Sequence, residues 1–236
     1  MILATAFDTA FIYQPYSGLV IDCNRKPMSP DAVLAISDST RVKGNEGLQD
    51  RERSARIDGI HRPYHARIAA EIGGRMAAGR ATTITALHSF TPTMASVPRQ
   101  WHIGVPYADG DIAFATAVLR LLVRDPAITV GDNQPYQMDE TDYTILRHAV
   151  ANSLPHVELE IRQDLIARQE GQRLGASGSP WLSPPRRMNR EGTRERASQA
   201  ALRSCSILLS SRQLKAYTSG LWSQTDFSYR AGGQLI

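Results

Sequence analysis

The stretch that most constrains this chain is Thr82-Thr83-Ile84-Thr85-Ala86-Leu87-His88-Ser89-Phe90-Thr91-Pro92. It opens with a β-branched, apolar-rich run, the composition of a strand buried inside a sheet. The run breaks into a small polar turn closed by Pro92. His88 falls where the strand is expected to end, and strand ends are where open α/β sheets present ligands and catalytic groups. A histidine there is either a hydrogen-bonded structural residue or a metal ligand, and this stretch leaves both open.

Neighbouring segments supply a sheet for that strand to join. Ala10–Tyr13 and Leu19–Ile21 read as strands around a turn at Gln14–Gly18, and Arg99–Val105, Thr129–Asp132 and His156–Arg162 read as further strands. Between them, Leu48–Ala78, Asp111–Val123 and Thr144–Ser153 have helical periodicity. Strands alternating with helices indicate an α/β fold. Pro63 is expected to start a new helix or to kink the first one, because it lacks an amide hydrogen and crowds the preceding turn. His61 and His65 flank it, four apart. The proline spoils a regular helical face for a ligand pair, so structural or substrate-lining roles are expected for both.

Two further clusters carry chemistry. Asp22-Cys23-Asn24-Arg25 follows an apolar run and precedes a Pro-rich loop. A guanidinium fixed there either binds a carboxylate bidentately or pairs with Asp22 or another acid to tie down the loop. In His156–Arg162, Glu158, Glu160 and Arg162 share one face by strand alternation. That face suits a solvated edge strand or the polar wall of a site.

At 236 residues with 42% hydrophobic content, the chain is long enough for one sizeable core. No apolar run approaches the roughly 20 residues that span a bilayer, so no membrane partner is expected. Cys23 and Cys205 lie far apart without metal spacing, which makes a reduced, cytoplasmic setting the expectation. The charge is uneven. Residues 1–167 hold 16 Lys and Arg against 19 Asp and Glu, whereas residues 168–236 hold 11 against 4. The basic character therefore belongs to the tail. It has no nucleic-acid motif, so a nucleic-acid partner is not expected, and oligomeric state is not legible.

Taken together, five segments resemble the N-formylglutamate amidohydrolase family: Tyr16–Arg25, Pro63-Tyr64-His65, Leu87–Pro92, Val130–Tyr136 and Leu154–Ile166. The resemblance runs over roughly residues 3–171. It implies a mixed sheet between helices, like zinc carboxypeptidases and aspartoacylase. It also implies zinc-assisted hydrolysis of N-formyl-L-glutamate to formate and glutamate, late in histidine breakdown. Under it His88 is a zinc ligand, and Asn24 and Arg25 hold a carboxylate of a small N-acyl amino acid substrate. Glu160 is the general base acting on water at the metal, with Glu158 two residues away sharing its face. The family's upstream ligands, a histidine and an acid, precede the Asn-Arg motif. Only 23 residues precede Asn24 here and they contain no histidine, so the expectation is a chain lacking its first strand and metal loop. Two alternatives accompany this reading: a catalytically inactive relative, and a binding module that uses the basic tail.

The expected domain spans 1–171. Residues 172–236 are expected to form a basic tail of low order, rich in Ser, Pro, Gly and Arg after Gln172. The abrupt change there leads to the expectation of a frameshift near Gln172, which sequencing the gene checks. A helix is expected over Ala197–Leu209.

Overall fold

The Thr82–Pro92 stretch forms the spine of the structure. In the computed structural model, which describes residues 9–108, 112–168 and 205–212, the strands in chain order are β1 (Ala10–Ser17), β2 (Ile36–Ser37), β3 (Thr40–Arg41), β4 (Thr83–Phe90), β5 (Thr93–Met94), β6 (Val97–Pro98), β7 (Ile103–Val105), β8 (Val130–Asp132), β9 (His156–Arg162) and β10 (Cys205–Arg212). Six of them form one sheet in the order β1-β10-β4-β9-β7-β8. β1, β10, β4 and β9 run parallel, and β7 and β8 run against them. The sheet is mixed and lies between helices, as the resemblance implied. β2–β3 and β5–β6 are separate two-residue ribbons.

β4 is buried because both of its edges are paired and both faces are covered. One face carries Ile12, Ile84, Ala86, Ile207 and Leu209 and packs against Tyr64, Ile68 and Ile72 of a long helix and against Ile145 and Ala149. The other face carries Val157 and Leu159, with Ile103 and Val105, under Phe114, Val118 and Leu122.

The helices are α1 (Asp50–Arg56), α2 (Arg62–Ala77), α3 (Ala113–Leu122) and α4 (Thr144–His148). Pro63 stands in the first turn of α2, as expected of a proline that starts a new helix. α1 and α2 are joined by a π turn, Ile57–His61, in which the Arg62 amide donates to the Ile57 carbonyl five residues back. The π turn precedes the proline, which sits in the first turn of α2 where its missing amide hydrogen costs little. It also keeps His61 and His65 together, with ring centroids 4.4 Å apart, so Pro63 does not spoil that face.

Other segments depart from expectation. Leu19–Ile21 is no strand: the Val20 amide closes a turn on the Ser17 carbonyl, and Ile21 is buried with Val33 and Ile57 in a small separate cluster. β1 instead continues through Pro15, which an edge strand tolerates, with its register shifting between Gln14 and Ser17. The expected tail helix ends as strand. Cys205–Arg212 enters the sheet between β1 and β4, because Ile207 and Leu209 alternate onto its apolar face and both edges find parallel partners. Residues 197–204 of that expected helix lie outside the described residues.

Candidate functional site

Register decides what β4 and β9 present. Ala86 pairs with Glu158, His88 with Glu160 and Phe90 with Arg162. Paired residues of neighbouring strands share a face, so His88, Glu158 and Glu160 form one row toward the ends of the two strands. The solvated-edge alternative for Glu158 and Glu160 is therefore corrected. β9 lies inside the sheet, and His88, Glu158 and Glu160 are 6%, 3% and 3% exposed. Arg162 lies further out. Its guanidinium pairs with Asp164 at 2.8 Å and reaches the carbonyls of Arg99, Gln100 and Trp101.

His88 Nε2 stands 3.8 Å from Glu158 Oε2. Burial first, then the nearby Arg25 charge, holds the His88 pKa down to about 4, so the imidazole is neutral near pH 7. Burial pushes the Glu158 carboxyl well above the usual carboxylate range; Asp142, Glu160 and Asp22 add to this and Arg25 opposes it. Glu158 Oε2 has no hydrogen-bond partner among the described residues. A buried polar atom left without a partner costs about 1–3 kcal/mol, a cost that a bound ligand would remove.

Beside this row, the segment after β1 is tied to the turn that precedes α4. The Asn24 side chain donates to Asp142 Oδ1 at 3.0 Å and accepts from the Thr144 amide at 2.9 Å. Arg25 pairs with Asp142 at 3.1 Å and with Asp31 at 3.2 Å. Burial opposes the Arg25 charge, but Asp22, Asp142 and Asp31 more than offset it and its pKa rises. Asn24 is 1% exposed and thoroughly engaged. It sets the loop, while Arg25 keeps about a quarter of its side chain open. Both alternatives for Arg25 bear on its position: it does tie down the loop, through Asp142 and Asp31, and its charge also reaches His88 and Glu158.

On the far side of β9, Gly104 pairs with Glu160. A Cβ on Gly104 or on Gly131 would come within 2.2 or 2.3 Å of the Gln134 carbonyl oxygen. Two adjacent glycines thus let the Asn133-Gln134-Pro135 turn fold flat over β7 and β8. This is the physical content of the Val130–Tyr136 segment.

Asp31, Asp142 and His148 were not anticipated. Asp142 had a readable signal, since Asp139 and Asp142 bracket a helix start with turn chemistry: Asp139 accepts from the Thr141 amide and Asp142 from the Asp139 amide. His148, on a short helix distant in sequence, had none.

Whether these residues suit zinc is a question of kind and number. A neutral imidazole beside a carboxylate with an unpartnered oxygen fits a divalent metal as part of a ligand set. Among the described residues, however, no group of three His, Cys, Asp or Glu side chains is placed to hold a metal ion. His88 and Glu158 are two donors where catalytic zinc usually takes three.

A mixed sheet between helices that keeps an imidazole and two carboxyl side chains dry near the ends of adjacent parallel strands defines an α/β protein with a buried polar row at its strand ends. Within that class, the chain belongs to the N-formylglutamate amidohydrolase family, whose sequence model matches residues 2–167. Among solved structures it is similar to a gene product of Agrobacterium tumefaciens (TM-score 0.64, 37% identity, 68% of this chain and 63% of that one). It is also matched to an N-formylglutamate amidohydrolase from Ralstonia eutropha (TM-score 0.39, 22% identity, 66% of this chain and 52% of that one). The chain thus spans less than two thirds of the length of either protein. No curated protein matches. Among the described residues no helix is long and apolar enough to cross a membrane.

Proposed function

We propose that the chain is built for zinc-assisted hydrolysis of the formyl amide of N-formyl-L-glutamate, giving formate and glutamate. The observation that carries this is the row of His88, Glu158 and Glu160, buried on one face beside an arginine whose charge reaches it. In this reading His88 supplies one imidazole to the metal, which when bound lowers the pKa of water toward about 7. Glu160 accepts the proton of the attacking water and returns it to the leaving amine. Arg25 holds a substrate carboxylate by exchanging part of its pairing with Asp31, the more exposed of its two partners. Asn24 keeps the Arg25 backbone in place. The setting is cytoplasmic, in keeping with the buried free thiol of Cys23.

The test is formate release from N-formyl-L-glutamate, with bound zinc measured on the same sample. Arg25→Ala is expected to raise KM about 10- to 100-fold, the cost of one charged hydrogen-bonded contact. An unchanged KM confines Arg25 to tying the loop. A purified chain that binds less than about a tenth of an equivalent of zinc, against the tight binding of a three-ligand site, overturns the metal role and leaves the inactive-relative alternative.

A further inference from the structure

Behind the Asn24–Arg25 segment lies a group of histidines with no part in the chemistry above. His61, His65 and His148 are 2%, 5% and 3% exposed. His61 Nε2 lies 3.0 Å from the Arg25 carbonyl oxygen, and His65 Nε2 lies 2.9 Å from the Cys23 carbonyl oxygen. His65 Nδ1 lies 2.8 Å from His148 Nε2, with the two rings stacked at an interplanar angle of 12°. Tyr143, next to Asp142, packs edge-on to His65 at 4.9 Å and tilted to His61 at 5.4 Å.

These contacts fix the tautomers. A carbonyl oxygen only accepts, so Nε2 carries the hydrogen in both His61 and His65. In a neutral His65, Nδ1 is then the acceptor, and His148 must donate from its own Nε2. The chain of donation runs from His148 through His65 to the Cys23 carbonyl, with His61 acting in parallel on the Arg25 carbonyl. A backbone segment held at two carbonyls, those of Cys23 and Arg25, by rings on the π turn and on α2 has little freedom to move. That segment carries the one guanidinium assigned to the substrate.

We propose that His61 and His65 are positioning residues for substrate binding: their Nε2–H groups pin the carbonyls of Arg25 and Cys23, and His148 locks His65 in the tautomer that does so. The inference rests on the assignment of Arg25 to the substrate carboxylate. It adds the device that preorganises that arginine. Burial supports it, because it is the first cause holding all three imidazoles toward neutrality, with His65 down to about 3 and His148 to about 4.

The experiment measures N-formyl-L-glutamate affinity by calorimetry on the full chain, alongside ring-nitrogen NMR of the histidines at neutral pH. His65→Ala is expected to weaken binding about tenfold, in the range of one lost preorganising hydrogen bond. His65→Gln is expected to recover most of that loss, because its amide nitrogen sits where Nε2 does. The NMR spectrum is expected to show the Nε2–H tautomer at all three residues. Wild-type affinity in His65→Ala, no recovery in His65→Gln, or an Nδ1–H tautomer at His65 each overturns the inference. Should His65→Ala fail to fold, His61→Ala and the tautomer spectrum decide in the same way. Wild-type affinity in Arg25→Ala, or no binding by the unaltered chain, overturns the substrate reading and this inference with it. A weak Arg25→Ala with an unaffected His65→Ala overturns the inference alone.

Discussion

Two groups of buried charge lie side by side in this protein and are handled in opposite ways. In the clasp of Asn24, Arg25 and Asp142, the Asp142 carboxylate accepts from the Asn24 amide, the Arg25 guanidinium and the Asp139 backbone. In the row of His88, Glu158 and Glu160, a neutral imidazole faces a carboxyl oxygen that no described residue hydrogen-bonds. Burial pushes the Asp142 carboxyl up and the Asp139 charge adds to this; the Asp139 amide and Arg25 offset it only in part, while Arg25 pairs with it at 3.1 Å. Glu158 Oε2 has no such partner among the described residues, and Asp142 and Glu160 push the Glu158 pKa further up against the opposing Arg25 charge. The clasp therefore has the signature of structure, whereas in the row Glu158 Oε2 is buried with no hydrogen-bond partner among the described residues.

The largest effect that separates them is on turnover. Glu160→Gln keeps the shape and hydrogen-bonding capacity of the side chain but removes the proposed base. Loss of a general base costs about 10²–10⁴-fold. The expected outcome is a fall in kcat of that size with bound zinc unchanged, read from formate release and metal analysis. If Glu158→Gln gives that fall instead, the two glutamates exchange roles, since both share the face of His88.

Stability should separate the two groups in sign. Asp142→Ala leaves the Arg25 guanidinium short of a partner and the Asn24 amide and Asp139 backbone without theirs. The expected loss is about 2–4 kcal/mol, measured by denaturant unfolding. Glu158→Met removes a buried carboxyl that finds little compensation and keeps about the same volume. A gain of about 1 kcal/mol is expected for the metal-free protein, at the cost of the site. A loss in Glu158→Met as large as that in Asp142→Ala would erase the distinction between clasp and row.

Much of this was readable beforehand, and the failures have physical causes. β4, the helix over 113–122 and the alternation of β9 follow from periodicity, which is a local property. The row followed from recognising His88 with Glu158 and Glu160. Its burial did not, because Glu158 and Glu160 fit a solvated edge as well as the wall of a site until β7 is seen to pair with β9 in the opposite direction. Pro63 opens α2 as expected, but it does not separate His61 from His65, because a π turn precedes it and nothing local announces a π turn. β10 misled most. An Ile207 and Leu209 alternation inside a basic, Ser-rich tail becomes a strand only because β1 and β4 leave a place between them. The clasp partners Asp31 and Asp142 lie 6 and about 117 residues from Arg25 in sequence. No periodicity links positions so far apart.

The smallest effect concerns the histidines behind the clasp, and its sign can be worked out in advance. Their folded pKa values, about 3 for His65 and about 4 for His148, lie below the ordinary 6.5. Burial is the first cause in both, and the Arg147 charge adds to it. The unfolded chain therefore binds more protons than the folded one between those values and 6.5. This contribution to stability is fully present above about pH 6.5 and is lost as the pH falls toward 4. Glu158, with its raised value, acts in the opposite sense: its contribution is present at low pH and is lost as pH rises. A single melting curve against pH mixes the two. Comparing the protein with His148→Gln separates them, because the substitution keeps a donor toward His65, removes one titrating ring and leaves Glu158 as it was. Thermal unfolding between pH 7 and pH 5 is expected to fall more steeply for the unaltered chain, by about 1–2 kcal/mol at pH 5. Parallel curves would mean that His148 is already charged in the folded protein. It could then not serve as the neutral donor that fixes His65, and the clasp would owe its position to Asp142 and Asn24 alone.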